Sequence, residues 1–284
     1  MRIFCFFSSA GAKIICITDQ NMIYCIGFAR RFADARIYLS YIISDSETDF
    51  KMRMRKKKHS GERIEACSAL LLRLSPDDTG YSALDGAREV SRAVFGREMP
   101  LELEIGCGKG DFAVGLSPAR ADSGIIALER VADVAVTALE KAAASADARP
   151  DNLRFVIGNA QNLPVWFPEN TFSRIYINFC DPWPKKGYAK RRLTAPGFLA
   201  LYRRLLVPGG ELRFKTDNEG LFDWSLEQFA AEGLRVAVMT RDLHSSALAE
   251  GNIMTEYERN FTSKGMPIYS AHVVFDKKDD GNNE

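Results

Sequence analysis

The chain is poor in the residues that metal sites and disulfide scaffolds require. It has three histidines (His59, His244, His272), far apart, and six cysteines (Cys5, Cys16, Cys25, Cys67, Cys107, Cys180) without a CxxC pair. Structural zinc needs clustered ligands, so no metal is expected. Reduced thiols in a cytoplasmic protein are the simplest reading of such spacing. An excess of one charge sign is also missing: the net charge is +1, so a polyanionic partner would have to be held by a local cluster. No apolar run reaches the roughly 18–20 residues that span a bilayer, which leaves no membrane partner. Internal repeats and low-complexity tracts are lacking too. What remains is a chain of 284 residues, 46% hydrophobic, enough for one large α/β domain or two small ones.

The N-terminus is the least ordinary stretch. Residues 3–12 are uncharged, then Lys13, Asp19, Arg30 and Arg31 interrupt. Arg2 with a short apolar run is similar to a secretory signal. The preferred expectation is that residues 1–51 are an extension outside the working domain, read from a start upstream of Met52 or Met54. Residues 52–60, with Arg53, Arg55, Lys56, Lys57 and Lys58, form a basic arm that is either solvated or phosphate-contacting. Apolar residues at helical spacing predict a helix over 62–74, followed by a turn-rich loop over 77–86.

From Leu101 the sequence alternates short apolar runs with helical segments, the mark of a parallel sheet with crossover helices. Strands are expected at 101–105, 125–128, 153–157, 175–179, 211–215, 235–240 and 268–275, and helices at 112–116, 131–146, 195–206 and 221–231. Pro208, Gly209 and Gly210 read as a sharp turn into the fifth strand. The last two strands lack a long helix between them, apart from a short one at 256–261, which predicts antiparallel pairing at one edge. The expected fold is α/β and Rossmann-like: a doubly wound, mostly parallel seven-stranded sheet with an antiparallel edge strand, over residues 61–276. Residues 277–284 are a polar tail.

Gly106, Gly108 and Gly110 follow the first strand of this domain. Such a turn lets the backbone bend tightly and approach a ligand. A dinucleotide dehydrogenase would place its third glycine at position 111, where this chain has Asp111. Glu104, just before the turn, would repel a pyrophosphate but suits a cofactor with an ammonium group, such as S-adenosylmethionine. Glu129, closing the second strand, can take two ribose hydroxyls. Asn159, after the third, can meet an adenine edge.

A second cluster follows the fourth strand. Asp181 stands among Pro182, Trp183 and Pro184, and Lys185, Lys186, Lys190, Arg191 and Arg192 put five cations in eight residues. Phosphate contacts are favoured for these cations over a merely solvated loop. Asp181 suits an active-site role, with helix capping as the bland alternative. Trp183 is either core or a wall against a base. Asp217 brings a carboxylate to the same rim, and Thr255, Glu256, Tyr257 and Glu258 supply hydroxyl and carboxylate groups, or merely a capped helix start.

These motifs together resemble the bacterial tRNA (guanine-N7)-methyltransferase family. The likeness is carried by Glu104 to Gly110, by Asp181 to Lys185 with Lys190 to Arg192, by Thr216-Asp217, and by Thr255 to Glu258, and it runs from about Met52 to Phe275. It implies a class I methyltransferase acting on the variable-loop guanine, position 46, of tRNA, as a monomer or homodimer. It further implies that Glu104, Glu129, Asn159 and Asp181 bind S-adenosylmethionine, with Asp181 also in the active-site role. Lys185, Asp217 and Thr255 to Glu258 would contact substrate, and Gly187, Tyr188, Lys190, Arg191 and Arg192 would touch RNA. Guanine N7 already carries a lone pair, so no general base is required. Asp217 or Glu258 is expected to accept from guanine N1–H and its exocyclic amine. Rival readings are a methyltransferase of another specificity, a non-catalytic RNA-binding protein of the same fold and, least favoured, a nicotinamide oxidoreductase.

Overall fold

The computed structural model describes the backbone of residues 4–7, 14–18 and 21–25, and residues 58–75, 77, 79–145 and 151–276 in full. The expected basic arm, apart from its last residues, and the polar tail lie outside the described residues. The chain divides into two compact units, Met1–Lys56 and Lys57–Glu284. In the first, β1 (Phe4–Phe7), β2 (Ile14–Thr18) and β3 (Asn21–Cys25) form an antiparallel meander.

The second unit is built on β5 (Leu101–Ile105), β6 (Gly124–Glu129), β7 (Leu153–Ile157), β8 (Phe172–Asn178), β9 (Leu206–Thr216), β10 (Arg235–Thr240) and β11 (Tyr269–Phe275). These are the seven strands the sequence predicts. An eighth, β4 (Leu71–Leu72), completes the order β10-β11-β9-β8-β5-β6-β7-β4 among the described residues. All pairings are parallel except β11 with β9 and β10 with β11, so the antiparallel strand sits one place in from the edge.

Alternation sorts the strand side chains into two layers. Leu101, Leu103 and Ile105 join a core with α2 (Gly86–Phe95), α5 (Leu163–Trp166), α6 (Pro196–Leu205) and α7 (Glu219–Ala231). On the opposite face, α3 (Asp111–Ala119) and α4 (Ala132–Ala143) cover Ile125, Ala127 and Phe155. Glu102 and Glu104 also point to that second face, beside Arg174, Tyr176 and Asn178 of β8. The centre of the sheet therefore has one apolar and one charged face.

Two expectations are corrected. The helix over 62–74 is only α1 (Ser60–Ala66); Ser68–Leu70 is a 3₁₀ turn, and Leu71 and Leu72 pair with Phe155 and Val156, capping the outer edge of β7. Ser60 bonds Asp133 at 2.5 Å and Arg63 forks onto Glu140 at 2.6 and 2.7 Å, fixing α1 on α4. The expected loop holds through Asp85, and α2, which follows it and buries Val90 and Val94, is a helix the sequence reading did not include. Pro208 to Gly210 are a bulge within β9 instead of a turn before it. Phe172 faces Leu206 and Arg174 faces Glu211, so the intervening residues loop out, with Gly209 at φ +77°.

From β5 the chain steps outward through β6 and β7, then returns through β8 on the other side of β5. That reversal opens a crevice at the carboxyl ends of β5 and β8. At its base Gly110 has φ +82°, and a Cβ there would stand 2.6 Å from Ala138 Cβ and 2.9 Å from its Cα. Gly110→Ala should therefore cost about 2–4 kcal/mol of stability from strain and overpacking together. Gly108→Ala, at φ +56° in open space, should cost only about 1–2 kcal/mol. Urea titrations that gave equal losses for the two would show that the α3–α4 contact yields without cost.

Candidate active site

The turn after β5 is folded back by its own backbone. Gly106 and Cys107 N–H both donate to Leu128 O, at 2.8 and 3.0 Å, and Gly110 N–H donates to Cys107 O at 2.9 Å. Gly106 and Gly108 have positive φ, and a Cβ at either would meet nothing within 4 Å, so their backbone faces open space. Glu129, at the end of β6, accepts from Gly108 N–H at 3.0 Å and Val131 N–H at 2.8 Å, one bond to each oxygen. Its remaining lone pairs face the crevice. Asn159 caps the 3₁₀ turn Ala160–Asn162 through its Oδ1, accepting from Gln161 N–H at 3.0 Å, which leaves its amide N–H₂ to donate.

Glu104 is 2% exposed. Asn178 Nδ2 donates to its Oε1 at 3.1 Å, and its Oε2 has no hydrogen-bond partner among the described residues. Burial pushes its carboxyl up to about 7, against the pull of Asn178, the nearby Lys215 ammonium and the Ala113 backbone N–H in the first turn of α3; Glu129 pushes the same way as burial. A buried, half-satisfied carboxylate is costly unless a ligand completes it.

Two cavities adjoin this group and share Gly106, Gly108 and Phe179 as walls. The larger, about 740 Å³, is lined by Glu129, Asn159, Asp181, Trp183, Lys190 and Arg191 among others. The smaller, about 290 Å³, is lined by Glu104, Phe112, Asn178, Thr255, Glu256 and Tyr257 among others. Of the sequence-predicted site residues, Glu104, Gly106, Gly108, Glu129, Asn159, Asp181, Lys190, Arg191 and Thr255 to Tyr257 line these two adjoining cavities, whereas Gly110, Lys185, Gly187, Tyr188, Arg192, Asp217 and Glu258 line neither.

The loop after β8 is held in a strained path. Phe179 (φ +53°) and Trp183 (φ +43°) lie in the left-handed region on either side of Asp181. Such residues cost of order 1–3 kcal/mol each and persist only where neighbours over-determine them. Phe179 N–H donates to Lys215 O at 2.9 Å, and Arg192 donates to Pro182 O at 2.9 Å and Trp183 O at 3.0 Å. The Arg192 guanidinium also lies 4.3 Å from the Trp224 ring centroid. Arg192, partly buried, therefore braces the loop through its Nε and one Nη. Trp183 is half-buried on the cavity wall, not core; its ring meets Tyr188 edge-on at 5.9 Å, and Arg191 rests on both rings at 5.0 and 4.7 Å. Lys185, Lys186, Gly187, Tyr188 and Lys190 are exposed, and these lysines make no ion pair among the described residues. Asp181 is exposed on the wall and caps no helix. Burial, with Asp181 and Asp217 nearby, pushes the Cys180 thiol up to about 12, so it is inert as a nucleophile.

Across the crevice stands α8 (Glu256–Thr262), capped by Thr255, whose Oγ1 accepts from Glu258 N–H at 3.0 Å. Tyr257 OH donates to Asp217 Oδ2 at 3.3 Å, and its ring packs between Phe179 at 5.0 Å and Phe261 at 4.6 Å. Glu256 reaches Lys109 at 3.4 Å. Glu258 departs from expectation: it is fully buried, turned from the crevice toward Lys215 at 2.9 Å and Asn252 at 2.7 Å. His244 Nε2 stands 3.2 Å from it, near enough to attract but without hydrogen-bond geometry. Through Lys215 and Asn252, Glu258 anchors the helix that carries Tyr257. Lys215 and Asn178 are site residues the motif reading missed. The signal was the alternation of Glu211, Arg213 and Lys215 with Leu212 and Phe214, which puts a charged row on the face that holds Glu104.

Comparison with known proteins agrees with this geometry. A family model described as "Putative methyltransferase" matches residues 98–271. A protein from Listeria monocytogenes serotype 4b (strain F2365) is 41% identical over 226 residues, 80% of this chain and 100% of its own length. One from Brevibacillus brevis is 49% identical over 179 residues, 63% of this chain and 82% of its own. Both are described as tRNA (guanine-N(7)-)-methyltransferase. In fold the chain is similar to the 16S rRNA methyltransferase KamB, with a TM-score of 0.52 at 14% identity, over 68% of this chain and 95% of that one. The coverage and identity of these relatives place the chain in the tRNA (guanine-N(7)-)-methyltransferase family.

Proposed function

We propose that this protein methylates N7 of guanine 46, in the variable loop of tRNA, in the cytoplasm, with S-adenosylmethionine as donor. The observation that carries the reading is the half-satisfied Glu104 carboxylate beside the glycine turn, on a crevice that adjoins Asp181 and the cationic 3₁₀ turn Lys186–Arg191. The donor set fits S-adenosylmethionine on three counts. Glu104 has an oxygen free for a cation's N–H, Glu129 has free lone pairs for vicinal hydroxyls, and Gly106 and Gly108 leave open space where a side chain would intrude. When bound, the sulfonium supplies an electrophilic methyl group.

The protein's part is to hold the two reactants in line. Glu104 takes the donor's ammonium, Glu129 its ribose, and Asn159 donates to its adenine edge. Asp181, on the wall of the larger cavity with Gly106, Gly108, Lys190 and Arg191, aligns donor and acceptor and stabilises the positive charge that develops on the purine. Orientation alone can supply roughly 7–11 kcal/mol. Nothing here has to remove a proton, and the two thiols on the cavity walls, Cys107 and Cys180, are both pushed up by burial and so are neutral. With Glu258 sealed away, Asp217 is left to accept from guanine N1–H and the exocyclic amine, its position set by Tyr257. Lys185, Gly187, Tyr188, Lys190 and Arg191 receive the RNA, and Trp183 offers its indole as a wall to the extruded base. Both cavities are walled by one chain, so the reading holds for a monomer or for each subunit of a homodimer.

Incubation with unmodified tRNA and labelled donor should place 7-methylguanosine at position 46, and a tRNA with adenine there should accept no label; label at another guanine would refute the position. Asp181→Ala should lower kcat roughly 100-fold at saturating tRNA and donor, and an unchanged kcat would remove Asp181 from the chemistry. Lys190→Ala with Arg191→Ala should weaken tRNA binding and reduce the magnitude of its log–log salt slope by about 1–2. Donor affinity should stay constant in that variant; an equal loss there would contradict the division of labour.

A further inference from the structure

Lys215 is 6% exposed, an almost fully buried ammonium at the base of the crevice. Its Nζ donates to Glu258 Oε2 at 2.9 Å, Asn252 Oδ1 at 3.0 Å and Ile253 O at 3.2 Å. It also lies 5.2 Å from the Phe112 ring centroid and 5.8 Å from that of Phe179, two residues that line the smaller cavity with Glu104. Lys215 pairs in register with Asn178, whose side chain bonds Glu104, so this buried ammonium shares the face of Glu104 while being engaged mainly by another carboxylate. We propose that Lys215 is a positioning residue for the donor site: one buried ammonium, shared between Glu104 and Glu258, keeps the Glu104 carboxylate ready for the donor's amino group while pinning α8 beneath the acceptor wall.

Other groups around Glu104 do not substitute for it. From β6, Glu129 adds like charge, and the Cys107 thiol of the turn is buried and pushed well above its ordinary value, so it is neutral. From β8, Asn178 offers a neutral hydrogen bond. On the walls of the same cavity Lys109 is exposed and paired with Glu256, and Asp111 is paired with Lys141. Lys215 is the cation that raises the ionised fraction of Glu104, and Glu104 and Glu258 in turn favour the charged form of a lysine that burial would otherwise discharge.

The inference rests on the reading of Glu104 as partner of the donor's ammonium. Isothermal titration with S-adenosylmethionine from pH 6 to 9 tests both. Affinity in the wild type should rise with pH as Glu104 ionises, with a midpoint near its carboxyl value of about 7. Lys215→Met should move that midpoint up, and Glu258→Gln, which frees Lys215 for Glu104, should move it down, each by about one pH unit. The donor's own amine titrates alike in every variant. Lys215→Met leaves Glu258 buried without its cation and so endangers folding; the double variant Lys215→Met/Glu258→Gln removes the pair as a unit and should keep the upward midpoint. A double variant whose affinity falls evenly at all pH values, with an unmoved midpoint, would show that Lys215 only pins α8 and would overturn the proposal. Glu104→Gln should bind about tenfold more weakly at pH 8 with a flat profile. Wild-type affinity and profile in that variant would instead overturn the assignment of Glu104, and the Lys215 inference with it.

Discussion

A carboxylate buried at the carboxyl end of the central strand constrains much of this structure. Removing an ionised group from water is tolerable only if other polar groups replace the lost solvation. The sheet meets that need across strands, since Arg174, Tyr176 and Asn178 of β8 and Arg213 and Lys215 of β9 share the face of Glu102 and Glu104. Glu102 shows what a completed arrangement looks like. It is fully buried, and Arg120 at 2.5 Å, Arg174 at 3.3 Å and Tyr176 OH at 2.7 Å satisfy both oxygens. Glu104, two residues on, has one hydrogen bond and one bare oxygen beside a cavity. The contrast separates a carboxylate that holds the sheet together from one with an oxygen to spare, the one proposed to take the donor's ammonium.

Strain on the opposite wall has a matching logic. A displacement on guanine N7 needs alignment more than proton transfer, so a wall that moved would forfeit the advantage. Two left-handed non-glycine residues bracket Asp181, and the hydrogen bonds that keep them there come from outside the loop, from Lys215 O and the Arg192 guanidinium. Pro182 and Pro184 remove donors that would otherwise compete for alternative turns. Lys215 therefore touches both sides of the site, its backbone fixing Phe179 and its ammonium fixing α8.

Much of this was legible in the sequence because it is carried by local grammar. Glycines after a β-run, acids at strand ends, and an Asp-Pro-Trp-Pro run before a cluster of cations each have a meaning within about ten residues. The seven main strands were readable from their apolar runs for the same reason. The missed features depend on distant partners. Leu70, Leu71 and Leu72 fit a helical stripe, yet pairing with Phe155 and Val156 on an open sheet edge prevailed over local spacing. Pro208 to Gly210 read as a turn, and only the register against β8 shows a bulge. Arg192 looked like its cationic neighbours; its inward direction is set by two carbonyls in the strained loop. Glu258 looked like a substrate ligand because it follows Tyr257, but successive helix positions point about 100° apart, so neighbours on α8 serve the crevice and the core respectively.

The carboxylates of the site thereby fall into a graded series of environments, and the gradient follows the charge each is proposed to meet. Glu104 is buried, so a fixed ammonium beside it interacts strongly and its protonation is sensitive to neighbours. Glu129 lies at the rim with one backbone bond to each oxygen, which fixes its direction without exhausting its lone pairs, as suits neutral hydroxyls. Asp181 is exposed. A charge that acts only during transfer gains most if water leaves when the purine arrives, because its field then strengthens where positive charge develops. Permanent burial of Asp181 would impose on the free enzyme the desolvation that Glu104 already bears, beside a second buried acid. Exposure of Asp181 in the free protein and burial of Glu104 are thus two solutions to one electrostatic problem: the first waits for a transient charge, the second for a resident one.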